Sequence, residues 1–350
     1  MQIIIPERFQ KYLHSAVQTL LNSDFINSST AIDTYFSTSP HYFPEYTIHG
    51  TTHINNVLKF ADKLIPDDTL LTEINEDYRE TAVSLLVLAI VLHDLGMFIK
   101  PAGLKFLIWD GEQKSRDYKG WKSQWDEHIV SMKHASGTTL KNVFGDDEVG
   151  FDINNKAFYA DFIRKHHHQL AYQIAIEGFP GAKLNEILKS IPNKNFIELA
   201  GIIAMSHGVP LRDQELQKKI KKFGYEDDLP LNVPVYYLMA VLRMADLLDA
   251  SKERAPLPLF NSDVFASSYS QNEWELNQSI EDLQWSIDKE KMHVIASLKN
   301  SIQYAKLKSW IDYWQSELDL SWAVIGEKYG NKYHLSIRRI TSTLEDIEKI

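Results

Sequence analysis

Histidine and aspartate recur along this chain at positions that could share a metal ion. His49 and His53 lie one helical turn apart in YTIHGTTHINNVL, and His93-Asp94 closes the apolar run VLAIVLHDLGM. His134 follows in MKHASGTTL, three consecutive histidines in FIRKHHHQLA, His207 in AMSHG and Asp246 in LRMADLLDAS. From His53 onward, successive members are roughly 30 to 40 residues apart, about one helical hairpin each. A bundle can bring each one inward from a different helix. Imidazole and carboxylate together suit divalent Mn, Fe, Mg, Zn, Co or Ni. Two such ions sharing a carboxylate lower the pKa of water and clamp phosphate oxygens. The chain has no cysteine, so any metal is held by His, Asp and Glu, and disulfides are excluded.

Taken singly, each residue has an ordinary reading. Three consecutive histidines can be a polar turn, and at most two of them face one point. His207 before Gly208 can end a helix against its macrodipole, and His128 is read as structural. Asp246 lies in the apolar stretch VYYLMAVLRMADLLD, where a carboxylate is costly to bury alone. Arg243, three residues earlier, is its alternative core partner. The set as a whole, in this order and spacing, points to a metal site.

At these residues the sequence resembles the HD superfamily of metal-dependent phosphohydrolases, whose pattern is a His, a His-Asp pair and a distant Asp. The matching positions are His53, His93, Asp94 and Asp246, and the resemblance covers about residues 45–255. The later histidines resemble the binuclear branch, which adds a His and then a His-His pair. His134 matches the first, and His166-His167 the second, with the register within 166–168 open by one. His49 stands where HD-GYP phosphodiesterases place an additional ligand. Met97 replaces the lysine common after HDxG, and AYQIAIEGFPG is a poor GYP signature, so cyclic-di-GMP hydrolysis is not expected. HDLGM, HASGT, RKHHHQLA, SHG and RMADLLDASKER look closest to a bacterial HD group found ahead of Hsp90-like ATPase domains.

The resemblance implies one or two divalent metal ions and hydrolysis of a phosphoester or phosphoanhydride by metal-activated hydroxide. The substrate would be a nucleotide or another small phosphorylated compound. Asp94 would bridge the ions and His207 would protonate the leaving group. Arg243, Arg254, Lys165 and Arg164 are candidate phosphate contacts, since a metal-bound phosphoryl group still needs outer cations. Two alternatives remain open. One is an HD nuclease for single-stranded nucleic acid, disfavoured by the acidic balance and the lack of a long basic, aromatic-laced stripe. The other is a nucleotide-sensing module coupled to a partner ATPase of the Hsp90-like kind, docking through Trp310, Trp314 and Trp322.

The elements that must position these residues are mostly helices. Helical periodicity predicts segments near 7–27, 51–64, 78–95, 124–144, 155–168, 182–190, 195–206, 211–222 and 232–250. The aperiodic stretch 104–121 reads as a loop near the site. After Pro256 the texture changes. PLPLF, SSYSQNEWELN, LQWSID and MHVIASL read as short strands, then a helix at about 303–328 and a final strand in YHLSIRRI. The expectation is a mainly α fold: an HD-type helical bundle over 1–256 and a small α+β appendage over 257–350. The charged end TLEDIEKI suggests the front part of a longer protein. Net charge is −10, which disfavours duplex DNA or an anionic membrane as the main partner. The apolar run Ala82 to Leu92 is too short to span a bilayer and reads as a core helix. MQIIIPERF lacks a secretory signal pattern, so a cytoplasmic location is expected.

Overall fold

A computed structural model describes residues 3–22, 41–43, 46–110, 120–136, 156–181, 188, 191, 193–223, 229–256 and 268–344. The fold is mainly α, with a small sheet toward the C-terminal end. In chain order the helices are α1 Glu7–Gln10, α2 Ser15–Asn22, α3 Thr51–Leu64, α4 Glu76–Leu92, α5 Pro101–Lys105, α6 Trp121–Ser136, α7 Lys156–Glu177, α8 Lys194–Met205, α9 Gln214–Lys221, α10 Val235–Leu247, α11 Ser268–Ser279 and α12 Ser301–Tyr329. The strands are β1 Ile280–Ser286, β2 Lys291–Ala296 and β3 Arg339–Ser342.

Helix α4 is the axis of the fold. Asn75 caps it by accepting from the Asp77 amide, and Glu76 and Asp77 place negative charge in its first turn, where the helix dipole favours it. Every residue from Ala82 to Leu92 is buried, so the helix is apolar all round because other elements cover it all round. It contacts α3, α7, α8 and α10. The same apolarity makes residues 76–98 long and hydrophobic enough for a bilayer, but 94% of its most apolar window lies inside the fold. Its last turn delivers His93 and Asp94 to the middle of the molecule.

Two glycines let the site elements close on α7. A Cβ on Gly96, in the turn after Asp94, would collide with the backbone of His167, and one on Gly208 would collide with the His168 ring. Both turns therefore abut α7 at its histidines, an approach only a residue without a side chain permits.

β1 and β2 form an antiparallel hairpin, and β2 pairs in parallel with β3, with Met292 opposite Ile340 and Val294 opposite Ser342. Helix α12 makes the crossover between those parallel strands, as parallel pairing requires. The buried apolar cluster is continuous, running from α3, α4 and α10 into Leu276, Met292, Leu307, Trp314 and Ile340. It extends across the division expected at 256/257.

The structure differs from the sequence expectations in particular places. From Ser268 on, the expected strand SSYSQNEWELN belongs to helix α11; the side chain of Asn277 donates to the Glu273 carbonyl one turn back. Part of the expected loop is the short helix α5 and a π-turn over Phe106–Asp110. α7 runs nine residues beyond its expected end at 168. The expected helix at 182–190 apart from Leu188, most of PLPLF and the end TLEDIEKI from Glu345 lie outside the described residues.

Candidate metal centre

The four positions of the HD pattern converge. His53 enters from the first turns of α3, His93 and Asp94 from the end of α4, and Asp246 from the last turn of α10. Nε2 of His53 is 3.1 Å from Nε2 of His93, 3.3 Å from Oδ1 of Asp246 and 3.5 Å from Oδ2 of Asp94. His93 Nε2 lies 3.4 Å from Asp94 Oδ2 and 3.6 Å from Asp246 Oδ1. A second group adjoins the first. Asp94 Oδ1 is 3.6 Å from Nε2 of His167 and 3.7 Å from Nε2 of His207, and those two nitrogens are 2.8 Å apart. One carboxylate thus offers an oxygen to each group.

Hydrogen bonds fix which nitrogen of each ring faces inward. Nδ1 of His93, His167 and His207 donates to the carbonyl three residues back, of Ile90 (2.7 Å), Arg164 (2.6 Å) and Ala204 (2.6 Å) respectively. Nδ1 of His53 donates to Oδ2 of Asp249 at 2.6 Å. A carbonyl or carboxylate only accepts, so Nδ1 carries the proton and Nε2 of each neutral ring carries a lone pair. Nε2 atoms thus face each other across 3.1 Å in one group and 2.8 Å in the other. Two neutral rings so placed repel each other unless a proton or a metal ion sits between them. Donor separations of 3.1–3.6 Å in the first group also suit ligands on one divalent ion. Bonds of about 2.1 Å put neighbouring ligands roughly 3.0–3.4 Å apart, from octahedral to tetrahedral geometry. The donor set fits a divalent metal in each group: His53, His93, Asp246 with Asp94, and Asp94 with His167 and His207.

Electrostatics supports the same reading. Burial and the Arg254 charge push His53 down, but bonds to Asp246, Asp249 and Asp94 raise it to about 10, so this position holds positive charge strongly. Burial would raise the Asp94 and Asp246 carboxyls; the facing imidazoles hold both well below the usual carboxylate range. Burial, then the His167 and His93 charges, lowers His207 to about 3. It is therefore neutral and available as a ligand at neutral pH.

Asp249 is a participant that sequence reading missed. It is fully buried, accepts from His53 Nδ1 and from Asn56 Nδ2 (2.9 Å), and lies 3.6 Å from Arg254 Nε. Its spacing of three from Asp246 in ADLLDA was the available signal.

Several expected roles change with the geometry. His49 faces His53 (ring centroids 5.6 Å), but its Nδ1 donates to Thr47 O and its Nε2 accepts from Arg254 at 2.9 Å. Its lone pair is spent, so it supports the site instead of ligating. Of the triple, only His167 joins the cluster. His166 turns to Phe162 and Trp121 (centroids 4.8 and 6.0 Å), and His168 is buried beneath Gly208; successive residues on a helix point about 100° apart. His207 sits beside His167 and Asp94, at a position where it could be a ligand. The side chain of His134 lies outside the described residues, although its backbone is in α6.

Arg243 does not face the site. It is buried and donates to the carbonyls of Ser206, His207 and Val209 and to Glu317. Lys165 is exposed, on a different side of α7 from His167. Arg254 and Arg164 do line the cavity. Arg254 donates to Ile48 O, Asp249 O and His49, while Arg164 donates to the Tyr46 hydroxyl at 3.0 Å. Trp310 and Trp314, expected as an outward docking stripe, line the same cavity, and Trp322 donates to Ile337 O beneath the Arg338 guanidinium.

That cavity, of about 380 Å³, has Asp94, His167, His207 and Asp246 on one side and residues of α11 and α12 on the other. It is within the size range of small-molecule sites. The sequence matches the family described as HD-CE over residues 43–320. No curated protein and no solved structure matches it.

Proposed function

Because the chain belongs to the HD-CE family, an HD-type domain, we propose that it is a metal-dependent phosphohydrolase. It cleaves a phosphoester or phosphoanhydride of a small phosphorylated compound, nucleotides included. The observation that carries this reading is the Asp94 carboxylate shared between two histidine groups whose Nε2 atoms face one another.

His53, His93 and Asp246 would hold one ion and His167 and His207 a second, with Asp94 offering an oxygen to each group. Bound divalent ions supply Lewis acidity, lowering the pKa of water and neutralising phosphoryl oxygens; Mn and Fe suit this mixed imidazole and carboxylate set. The protein's own groups do the rest. Nδ1 bonds keep the imidazoles in one tautomer, and Asp249 fixes the His53 ring. Arg254 and Arg164 place guanidinium charge on the cavity wall, where phosphate oxygens not taken by metal can bond. Arg254 also restrains His49 and the Asp249 backbone, so substrate anions meet a cation already held in position. The motifs shared with HD proteins found ahead of Hsp90-like ATPase domains make such an ATPase the partner we would seek.

The test is phosphate release from a panel of nucleotides and sugar phosphates by purified protein with Mn²⁺, Fe²⁺, Mg²⁺, Co²⁺ or Ni²⁺. We expect metal-dependent turnover that Asp94→Ala abolishes. Protein that binds metal yet turns over nothing with any ion overturns the reading.

A further inference from the structure

The far wall of the cavity is built by the segment that follows residue 256. Trp310, Tyr313, Trp314 and Glu317 stand at i, i+3, i+4 and i+7 of α12, so they share one face. The first three line the cavity, joined by Glu273, Trp274 and Asn277 of α11. The Trp310 and Trp314 rings are 5.7 Å apart, inclined by 37°. Trp314 and Trp274 are buried and fixed by packing, Trp310 is half-buried, and Tyr313 is 51% exposed.

A phosphoryl group has no use for this wall. Its charge is met on the opposite side, by the metal cluster and by Arg254 and Arg164. What faces the aromatic rings is whatever the phosphorus is attached to. Aliphatic groups are ordinarily covered by Leu, Ile and Val; indole and phenol faces instead favour flat rings, which stack on them. A carboxylate on the same wall, Glu273, held at one oxygen by Lys306 (2.9 Å), suits a ring whose edge carries N–H donors. A cavity of about 380 Å³ has room for one such unit.

We infer that α11 and α12 form a nucleobase subsite, with Trp310 and Tyr313 as specificity-determining residues, so that the compound taken is a nucleoside phosphate. The inference rests on the cluster being the reacting end of the cavity. It makes the segment after 256 the part that chooses the substrate, while the histidine-rich helices supply the chemistry.

The experiment is equilibrium binding of adenosine and guanosine 5′-monophosphate against ribose 5-phosphate to the Mn²⁺-loaded chain, read by calorimetry and indole fluorescence. At least one nucleotide should bind about tenfold or more tighter than the sugar phosphate and quench the fluorescence. Trp310→Leu should erase that preference, and Trp310→Phe, which keeps a flat ring, should retain most of it. Tyr313→Leu, at an exposed position, provides the same comparison should Trp310→Leu fail to fold. Equal affinities for nucleotides and ribose 5-phosphate overturn the inference, as does a preference that survives in a folded leucine variant. The two readings fail separately. A chain that prefers nucleotides but releases no phosphate has lost its hydrolase assignment only. One that hydrolyses sugar phosphates and nucleotides alike has lost the subsite only.

Discussion

Arg243, buried on α10, and Glu317, half-buried on α12, form an ion pair at 2.6 Å, while the same guanidinium is bonded to the carbonyls of Ser206, His207 and Val209. The turn that carries His207 is thereby pinned to the helix that walls the cavity. An isolated buried guanidinium is expensive, so removing its carboxylate should cost more than an ordinary surface substitution. We expect Glu317→Gln to destabilise the protein by about 3 kcal/mol in urea unfolding. It should also weaken metal retention at the His207 group, read by chelator titration. Wild-type stability in the variant would mean that the pair is solvated and carries no such role.

Asp249 is placed to act on a metal ion through His53. Nothing else bonds His53 Nδ1 among the described residues, and Asn56 and Arg254 hold the carboxylate in turn. Partners of this kind typically change metal affinity by roughly 10- to 100-fold. Asp249→Asn should show a loss of that size in competition with a chelator, with its far-ultraviolet circular dichroism unchanged. Unaltered affinity would reduce Asp249 to a packing residue.

Much of this centre was legible in the sequence, and what was not has physical reasons. His53, His93-Asp94, His167, His207 and Asp246 stand out because each lies in a short motif on or at the end of a different helix, and bundle geometry gathers such residues. The phase of α7 was not legible. Three adjacent histidines fan round the helix, and tertiary packing, not any local pattern, turns His167 toward Asp94. Arg243 was open between a phosphate role and a pairing with Asp246. Its actual partner, Glu317, is 74 residues away in sequence, beyond any local pattern. α11 was mistaken for a strand because its polar sequence SYSQNEWELNQS shows little helical periodicity. The fold class was readable because the apolar pattern of α3, α4, α8 and α10 is strong.

Gly96 tests whether the close approach of the Asp94 turn to α7 matters. A methyl group there meets backbone, which cannot rotate aside, so the turn and α7 must separate. Gly96→Ala should destabilise by about 1–3 kcal/mol and should impair the His167–His207 group more than the His53–His93 group. Thermal unfolding with and without Mn²⁺ measures both effects. A variant that melts and binds metal like the wild type would show that α7 can move without consequence.

Metal binding should release protons. His53 is held near 10 by its carboxylates, so without metal it is protonated at pH 7, and its Nε2 lone pair becomes free only when that proton leaves. Calorimetric titration of Mn²⁺ at pH 7 in two buffers of different ionisation enthalpy should give different apparent enthalpies. The difference should correspond to about one proton or more released per chain. Identical enthalpies would show that His53 is already neutral before the metal arrives.

The division of ligands between two groups makes stoichiometry the most discriminating measurement. Among the described residues, His167 and His207 gather with Asp94 Oδ1, whereas His53, His93 and Asp246 gather with Asp94 Oδ2. Loss of His167 therefore removes a donor from one group and leaves the other complete. Elemental analysis of wild-type protein loaded with Mn²⁺ should give about two ions per chain, and His167→Ala about one, as expected for two carboxylate-linked sites. Asp94→Ala withdraws an oxygen from both groups at once and should approach none. If the wild type holds a single ion that His167→Ala retains, the second group is not a metal site, and the lone pairs of His167 and His207 must share a proton instead.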